Sequence, residues 1–301
     1  MIERVRRAGL PEIWTIWALL AVDAAMIFAT YWRIPPAQLY HVSNSGLWGG
    51  VSRVLVFLCF PTALASIGIL GVVVDRVRGP RGWTVAAVAF VLCWSVAWPS
   101  VVNEANLDFK WSNLLAAAGA ALVLGLSVAA TRRPRPEAPP PSRIGGRARA
   151  LIAAVLLIGT IPYIAADLGF FLDDVPVLGS IFITGKPWPG APPVAVHHGH
   201  HHGMDGFLLS VTSLLLWRAL RTIRAPRLRA VTALYATLLF VYGATNLVND
   251  LWSEQVVKRG WTDWEIPSVL HPSAGAAWGA MLLVGLALYV LLYRPGRRVA
   301  A

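Results

Sequence analysis

Residues Ile13–Trp32 read IWTIWALLAVDAAMIFATYW, with Asp23 as the single charged side chain among them. At 1.5 Å per residue, an apolar helix of this length matches the hydrocarbon thickness of a bilayer. Its start is basic, but it has no short apolar core ending at a small-residue cleavage site. It runs on into Tyr31-Trp32-Arg33, so it reads as a span and not as a cleavable leader. Comparable runs recur at Val54–Val74, Trp83–Val101, Asn113–Ala130, Ala150–Ala166, Met204–Leu220, Ala230–Val248 and Ser273–Tyr293. Together they predict an all-α, polytopic integral membrane protein with eight transmembrane helices.

The bulk composition agrees. Hydrophobic residues make up 56% of the 301 and charged residues 14%, against about a quarter charged in soluble domains. A soluble fold cannot hide that much apolar surface. The net charge of +11 is spread over short clusters between the apolar runs, which is a topology pattern and argues against nucleic acid as a partner. Cys59 and Cys93 both lie inside apolar runs, so neither a disulfide framework nor a cysteine-based zinc site is available.

With a cytoplasmic N-terminus, 20 of the 26 Lys and Arg fall on the inner side, within 4–7, 76–81, 132–149, 218–229 and 294–298. The outer side keeps Arg33, Arg53, Lys110, Lys186, Lys258 and Arg259. This alternation predicts that both termini are cytoplasmic. The Pro- and Arg-rich stretch 131–149 reads as an extended cytoplasmic linker. It separates a first four-helix half, 1–130, from a second, 150–301, which carries the long outer loops. The third span of each half leaves the membrane on a similar phrase, Asn103-Glu104 with Asp108 and Asn249-Asp250 with Glu254. That likeness predicts a 4+4 parallel pseudo-repeat.

The chemistry-bearing residues are one-sided. All seven histidines and ten of the fifteen acids fall outside, and the outer loops Leu168–Gly203 and Asn249–Pro272 are the long ones. The densest stretch is His197-His198-Gly199-His200-His201-His202-Gly203-Met204-Asp205. Five imidazoles in six positions repel one another when protonated, a tension that deprotonation or a shared metal relieves. They are predicted to hold a divalent ion together with Asp205, His41, His271, Asp167 and Glu254. Glu104 and Asp250 are the candidate general bases. Mixed imidazole and carboxylate donors suit zinc, copper or iron. Asp23, near the middle of its span, is functional by default; Arg53 starts the second span near the outer surface, above it. The run Lys258–Glu265 is dense in Trp and charge and reads as a cover over the pocket. No phosphate-binding glycine loop, serine elbow or HExxH pattern is present.

His197-x-x-His200-His201 resembles one histidine box of the membrane di-iron desaturases and hydroxylases. That family carries its other boxes on the cytoplasmic side, whereas here His41 and His271 are the remaining histidines and all face outward, so its function does not carry over. Pro35-Pro36-x-x-Leu39-Tyr40-His41-Val42-Ser43, followed by Gly49-Gly50-x-Ser52-Arg53, resembles uncharacterised multi-pass membrane proteins of high-GC bacteria. This likeness implies a bacterial cytoplasmic membrane and brings no activity with it.

The expected function is a membrane metalloenzyme, a metal-dependent hydrolase or oxidoreductase acting on a lipid or other apolar substrate. The alternatives are a metal-ion or proton-coupled transporter, and a non-catalytic subunit of a membrane complex. Reporter fusions after Arg143 and Arg227 should read cytoplasmic, and fusions after Asp108 and Lys258 extracytoplasmic. One inverted loop would remove the shared side of the histidines.

Overall fold

The computed structural model describes residues 7–8, 10–77, 79–98, 101, 103, 106–133, 135–136, 144–184 and 195–293. Its elements are helices: α1 (Pro11–Arg33), α2 (Gly46–Cys59), α3 (Pro61–Val73), α4 (Pro80–Trp94), α5 (Asn113–Thr131), α6 (Gly146–Asp167), α7 (Gly179–Phe182), α8 (His202–Ala219), α9 (Pro226–Trp252) and α10 (Ala276–Leu292). Helices α1, α3, α4 and α9 open on proline, whose missing N–H is unneeded in a first turn and whose φ is already helical. Among the described residues, the strand structure amounts to a two-residue antiparallel pair, Arg7–Ala8 with Arg135–Pro136, and a single bridge between Leu39 and His198.

Each of the eight apolar segments is helical. Five helices are long and apolar enough to cross a membrane, and six when α2 and α3 count as one span bent by 40°. The bend falls at Phe60, whose φ of −105° and ψ of −82° are non-helical. Pro61 behind it cannot donate to the helical ladder and crowds the residue before it. The third segment gives out in a 3-10 turn, Ser95–Ala97, short of Val101.

Helix α8 falls below the apolar standard for a span because it is the axis of the bundle. Almost every residue from Gly203 to Ala219 is buried, including Asp205, Ser210, Thr212 and Ser213, and α1, α3, α6 and α9 pack around it. A helix enclosed by protein needs no lipid-facing surface, so it tolerates hydroxyls and a carboxylate. The outer helices carry the reverse pattern. Ile158 on α6 and Leu283 on α10 are 68% and 69% exposed, side chains that only lipid would solvate well.

The bundle has two chemically distinct ends. At one, buried Glu12 pairs with Arg218 Nε at 2.8 Å and Arg221 Nη2 at 2.9 Å, and Asp75 accepts the Arg224 N–H at 3.0 Å. At the other end the histidine stretch meets Tyr31 of α1. The two helices are therefore antiparallel, with arginines and histidines at opposite ends of the same pair.

Helices α8 and α9 approach through Gly206 and Gly243. A Cβ on Gly243 would lie 2.6 Å from the Gly206 carbonyl and 2.7 Å from Ser210 Oγ. Gly243→Ala should therefore destabilise the bundle by about 1–3 kcal/mol, the usual cost of overpacking, read as a lowered Tm in detergent. Gly125→Ala is the control: it is exposed on α5 and its Cβ meets nothing within 4 Å, so it should be neutral or stabilising.

Candidate metal centre

The histidine stretch is a non-helical segment set inside the bundle. The carboxylate of Asp23 lies 3.7 Å from His200 Nδ1, and Asp23 is ten residues from the end of α1, about 15 Å along the axis. Backbone at such depth must be answered by protein. Ala195 N–H donates to the Phe182 carbonyl at 2.7 Å and Gly199 N–H to the Ala166 carbonyl at 3.0 Å. His200 N–H donates to Tyr31 Oη at 3.1 Å. Gly203 N–H, in the first turn of α8, donates to Asp250 Oδ2 at 2.8 Å, where a carboxylate also suits the helix dipole. Gly199 takes φ of +104°, and a Cβ there would press on Tyr31 Oη. That turn sends neighbouring histidines to different partners.

His200 points inward. Its Nδ1 lies 3.0 and 2.9 Å from the two oxygens of Asp167, at the end of α6, and its Nε2 lies 2.6 Å from Asp205 Oδ1. Its ring meets the edge of Phe57. One donor atom each from Asp23, Asp167 and His200 falls within 4.8 Å of the others, and all three residues are buried.

His197 and His201 line a cavity of about 240 Å³, whose wall His200 and Asp205 also reach. Their rings lie 4.1 Å apart, and with Glu254 they form a second three-donor group within 4.8 Å. Glu254 is delivered by a π-turn, Ser253–Val257, that prolongs α9. His201 Nδ1 is 3.6 Å from Asp250 Oδ2, and its Nε2 reaches the His197 carbonyl at 2.9 Å. Lys258 Nζ sits 2.6 Å from Glu254 Oε2 and 3.2 Å from the Ala195 carbonyl. An ion taken at Glu254 must share that carboxylate with the ammonium or displace it. The opposite wall is apolar: Val56, Phe57, Phe60, Pro61, Leu107 and Leu270.

The remaining predicted residues divide. His202 lies in the cavity, 3.1 Å from Asn249 Oδ1 and 3.5 Å from Asp250 Oδ1. His198 turns away and stacks on Phe171 at 3.6 Å, outside both groups. His41 adopts φ of 49° and stacks on Tyr40 at 3.7 Å, and Tyr40 in turn meets His197 at 4.7 Å. It is held one ring away from the cavity. His271 is exposed and joins neither group, although Leu270 beside it forms part of the wall. Glu104 lies outside the described residues. Of the run Lys258–Glu265, Lys258 lines the cavity while Trp261 and Trp264 are exposed, so no cover forms from the tryptophans.

Three contributors escaped the sequence reading. Arg53, read from the sequence only as the start of the second span, is buried, lines the cavity and lies over the Tyr31 ring at 5.5 Å. Tyr31 and Tyr163, the latter packed 5.0 Å from His201, gave none beyond their type. Comparison with family models, curated proteins and solved structures returned no match, so the site's own chemistry carries the reading.

The imidazoles are tuned in opposite directions. Burial, reinforced by His201 and Lys258, pushes His197 well below the ordinary imidazole value. Burial also pulls on His200, but Asp167 and Asp205 outweigh it and hold that ring well above. For metal-free protein the signs follow. The stabilisation from His200 is complete below about pH 6.5 and is lost as pH rises through its raised value. That from His197 is complete above about pH 6.5 and is lost as pH falls through its lowered value. In chelator-treated protein, His200→Gln should flatten the alkaline limb of the Tm profile and His197→Gln the acid limb. Unchanged limbs would show that these rings do not set the profile.

Proposed function

We propose that the chain is a membrane metalloenzyme that crosses a bacterial cytoplasmic membrane eight times with both termini inside. In this reading His197, His201 and Glu254 hold a divalent ion (zinc, copper(II) or iron) on the extracytoplasmic side. The substrate is a lipid or other apolar molecule from the outer leaflet. One observation carries the proposal: three donors from two distant parts of the chain meet on the polar wall of a cavity whose other wall is apolar. Two imidazoles and one carboxylate, with further coordination positions open, is the donor pattern of catalytic and not of structural sites.

Bound there, the ion supplies Lewis acidity and makes water acidic near neutral pH. The His197 carbonyl, accepting the Nε2–H of His201 at 2.9 Å, fixes that imidazole and leaves its Nδ1 for the ion; Asp250 lies 3.6 Å from this Nδ1. Its Oδ1, facing His202 in the cavity, is the oxygen left for proton transfer. Phe57, Phe60 and Leu270 receive the apolar part of the substrate and exclude water from it.

A transporter is the second reading, favoured by the reach of the histidine segment to the level of Asp23, since transporters place ion sites at broken helices within the membrane. The 4+4 repeat rests on the two Asn-acid phrases. Helix α4, which precedes the first phrase, and α9, which contains Asn249 and Asp250, differ in length, 15 against 27 residues, and no part of the proposed site depends on the repeat.

Purified protein should carry the ion, and His201→Ala and Glu254→Gln should each lower zinc affinity and abolish product release from phospholipid vesicles, read by mass spectrometry. Metal content unchanged in both variants would sink the proposal. Metal lost without any vesicle product in the wild type would leave a metal-binding protein that is not a lipid hydrolase.

A further inference from the structure

The structure assigns a second, buried divalent-cation site to Asp23, Asp167 and His200, distinct from the cavity group. Neither aspartate has a Lys or Arg within ion-pair distance among the described residues, and both are essentially inaccessible, at 1% and 0% exposure. Both carboxylate oxygens of Asp23 are buried without a hydrogen-bond partner. Such atoms are costly to bury unless a cation meets them. In metal-free protein protonated His200 is the nearest cation, but it stands 3.7 Å from Asp23, outside hydrogen-bond reach, whereas an ion among the three donors would meet both carboxylates directly.

The donor spacing fits a metal. His200 Nδ1 stands 2.9 Å from Asp167 Oδ2 and 3.7 Å from Asp23 Oδ2. Ligands around an ion at about 2.1 Å stand roughly 3–3.4 Å apart, so small side-chain rotations close the shell. Asp205 completes the pattern from the far side of the ring. Its Oδ1 lies 2.6 Å from His200 Nε2, where it accepts the Nε2–H; an ion that displaces the Nδ1 proton, which Asp167 otherwise accepts, would then find the Nδ1 lone pair turned toward the two aspartates. A carboxylate fixing the tautomer of a ligating histidine is the commonest support behind a metal-bound imidazole. Asp205 is therefore a positioning residue and not a ligand. The chemistry of the ligand follows from the donors. Two carboxylates match a doubly charged ion, and two oxygens to one nitrogen favour a harder one, manganese or iron(II), than the nitrogen-rich cavity group would select.

The two sites can be separated by titrating full-length, chelator-stripped protein with Mn²⁺, read by electron paramagnetic resonance and by the Tm rise on binding. The His201→Ala/Glu254→Gln double variant should still bind Mn²⁺. Asp23→Asn and Asp167→Asn should lose it while keeping zinc at the cavity group. Asp205→Asn, which leaves all three ligands in place, should weaken Mn²⁺ binding by about 10–100-fold, and this variant decides the matter if Asp23→Asn fails to fold. Mn²⁺ binding unchanged in Asp23→Asn, or in Asp205→Asn, overturns the buried site and leaves the cavity proposal standing. Mn²⁺ binding that survives the double variant while zinc affinity there is unaffected overturns the cavity site alone.

Discussion

A peptide group buried away from water must find its hydrogen bonds in protein, and in this molecule that demand falls on seven residues, 195–201, that are not helical. Helix α6 answers part of it through the Ala166 carbonyl and α1 through the Tyr31 hydroxyl, while the Asp250 carboxylate of α9 takes the Gly203 N–H just beyond, in the first turn of α8. Remove the backbone partners and the segment would have to fold into α8 or leave the bundle. One imidazole shares in this work, since His201 Nε2–H serves the His197 carbonyl. The packing of α8 at the centre, with polar residues along its buried length, is the same demand seen from the neighbouring helix.

Among the described residues, most buried charged side chains face one of opposite sign. At the arginine end, Glu12 is matched by two guanidinium groups. At the histidine end the acids face imidazoles, which can take or give up a positive charge where an arginine cannot. Arg53 is the exception, lying buried on the Tyr31 ring beside the cavity, where it adds a fixed positive field near Asp205 and His200. One end is thus electrostatically permanent and the other adjustable.

The helices were legible in the sequence because a run of apolar residues registers whatever its periodicity. Their roles were less so. Met204–Leu220 reads as one more span, yet its helix is the core of the bundle, since hydropathy does not distinguish lipid from protein as the neighbour. The bend at Phe60-Pro61 was open to view in the proline. The cluster histidines, Asp167, Asp205 and Glu254 were all singled out, and the fold gathers His197, His200, His201, Asp167 and Glu254 into two groups while His198 turns away. What divides them is the backbone at Gly199, a single left-handed residue whose effect on neighbouring side chains no composition reveals. Asp23 stood out by its cost in a span, while its partners lay far along the chain. His271 misled because its outer position could be read but not the direction of its side chain.

The π-turn at Ser253–Val257 fits one residue more into its circuit than an α-helix does. It therefore acts as a phase shift between α9 and the chain beyond. Deleting one residue would restore the ordinary winding and swing everything downstream by about 100°. Lys258 would leave the Ala195 carbonyl, and Arg259 the carbonyls of Ser180, Ile181 and Ile183. Residues 180–183 and Ala195 would then lose their moorings to the end of α9 although the packing of the helices had not changed. An extra residue in a helix is here the device by which this connecting segment is aligned with the bundle.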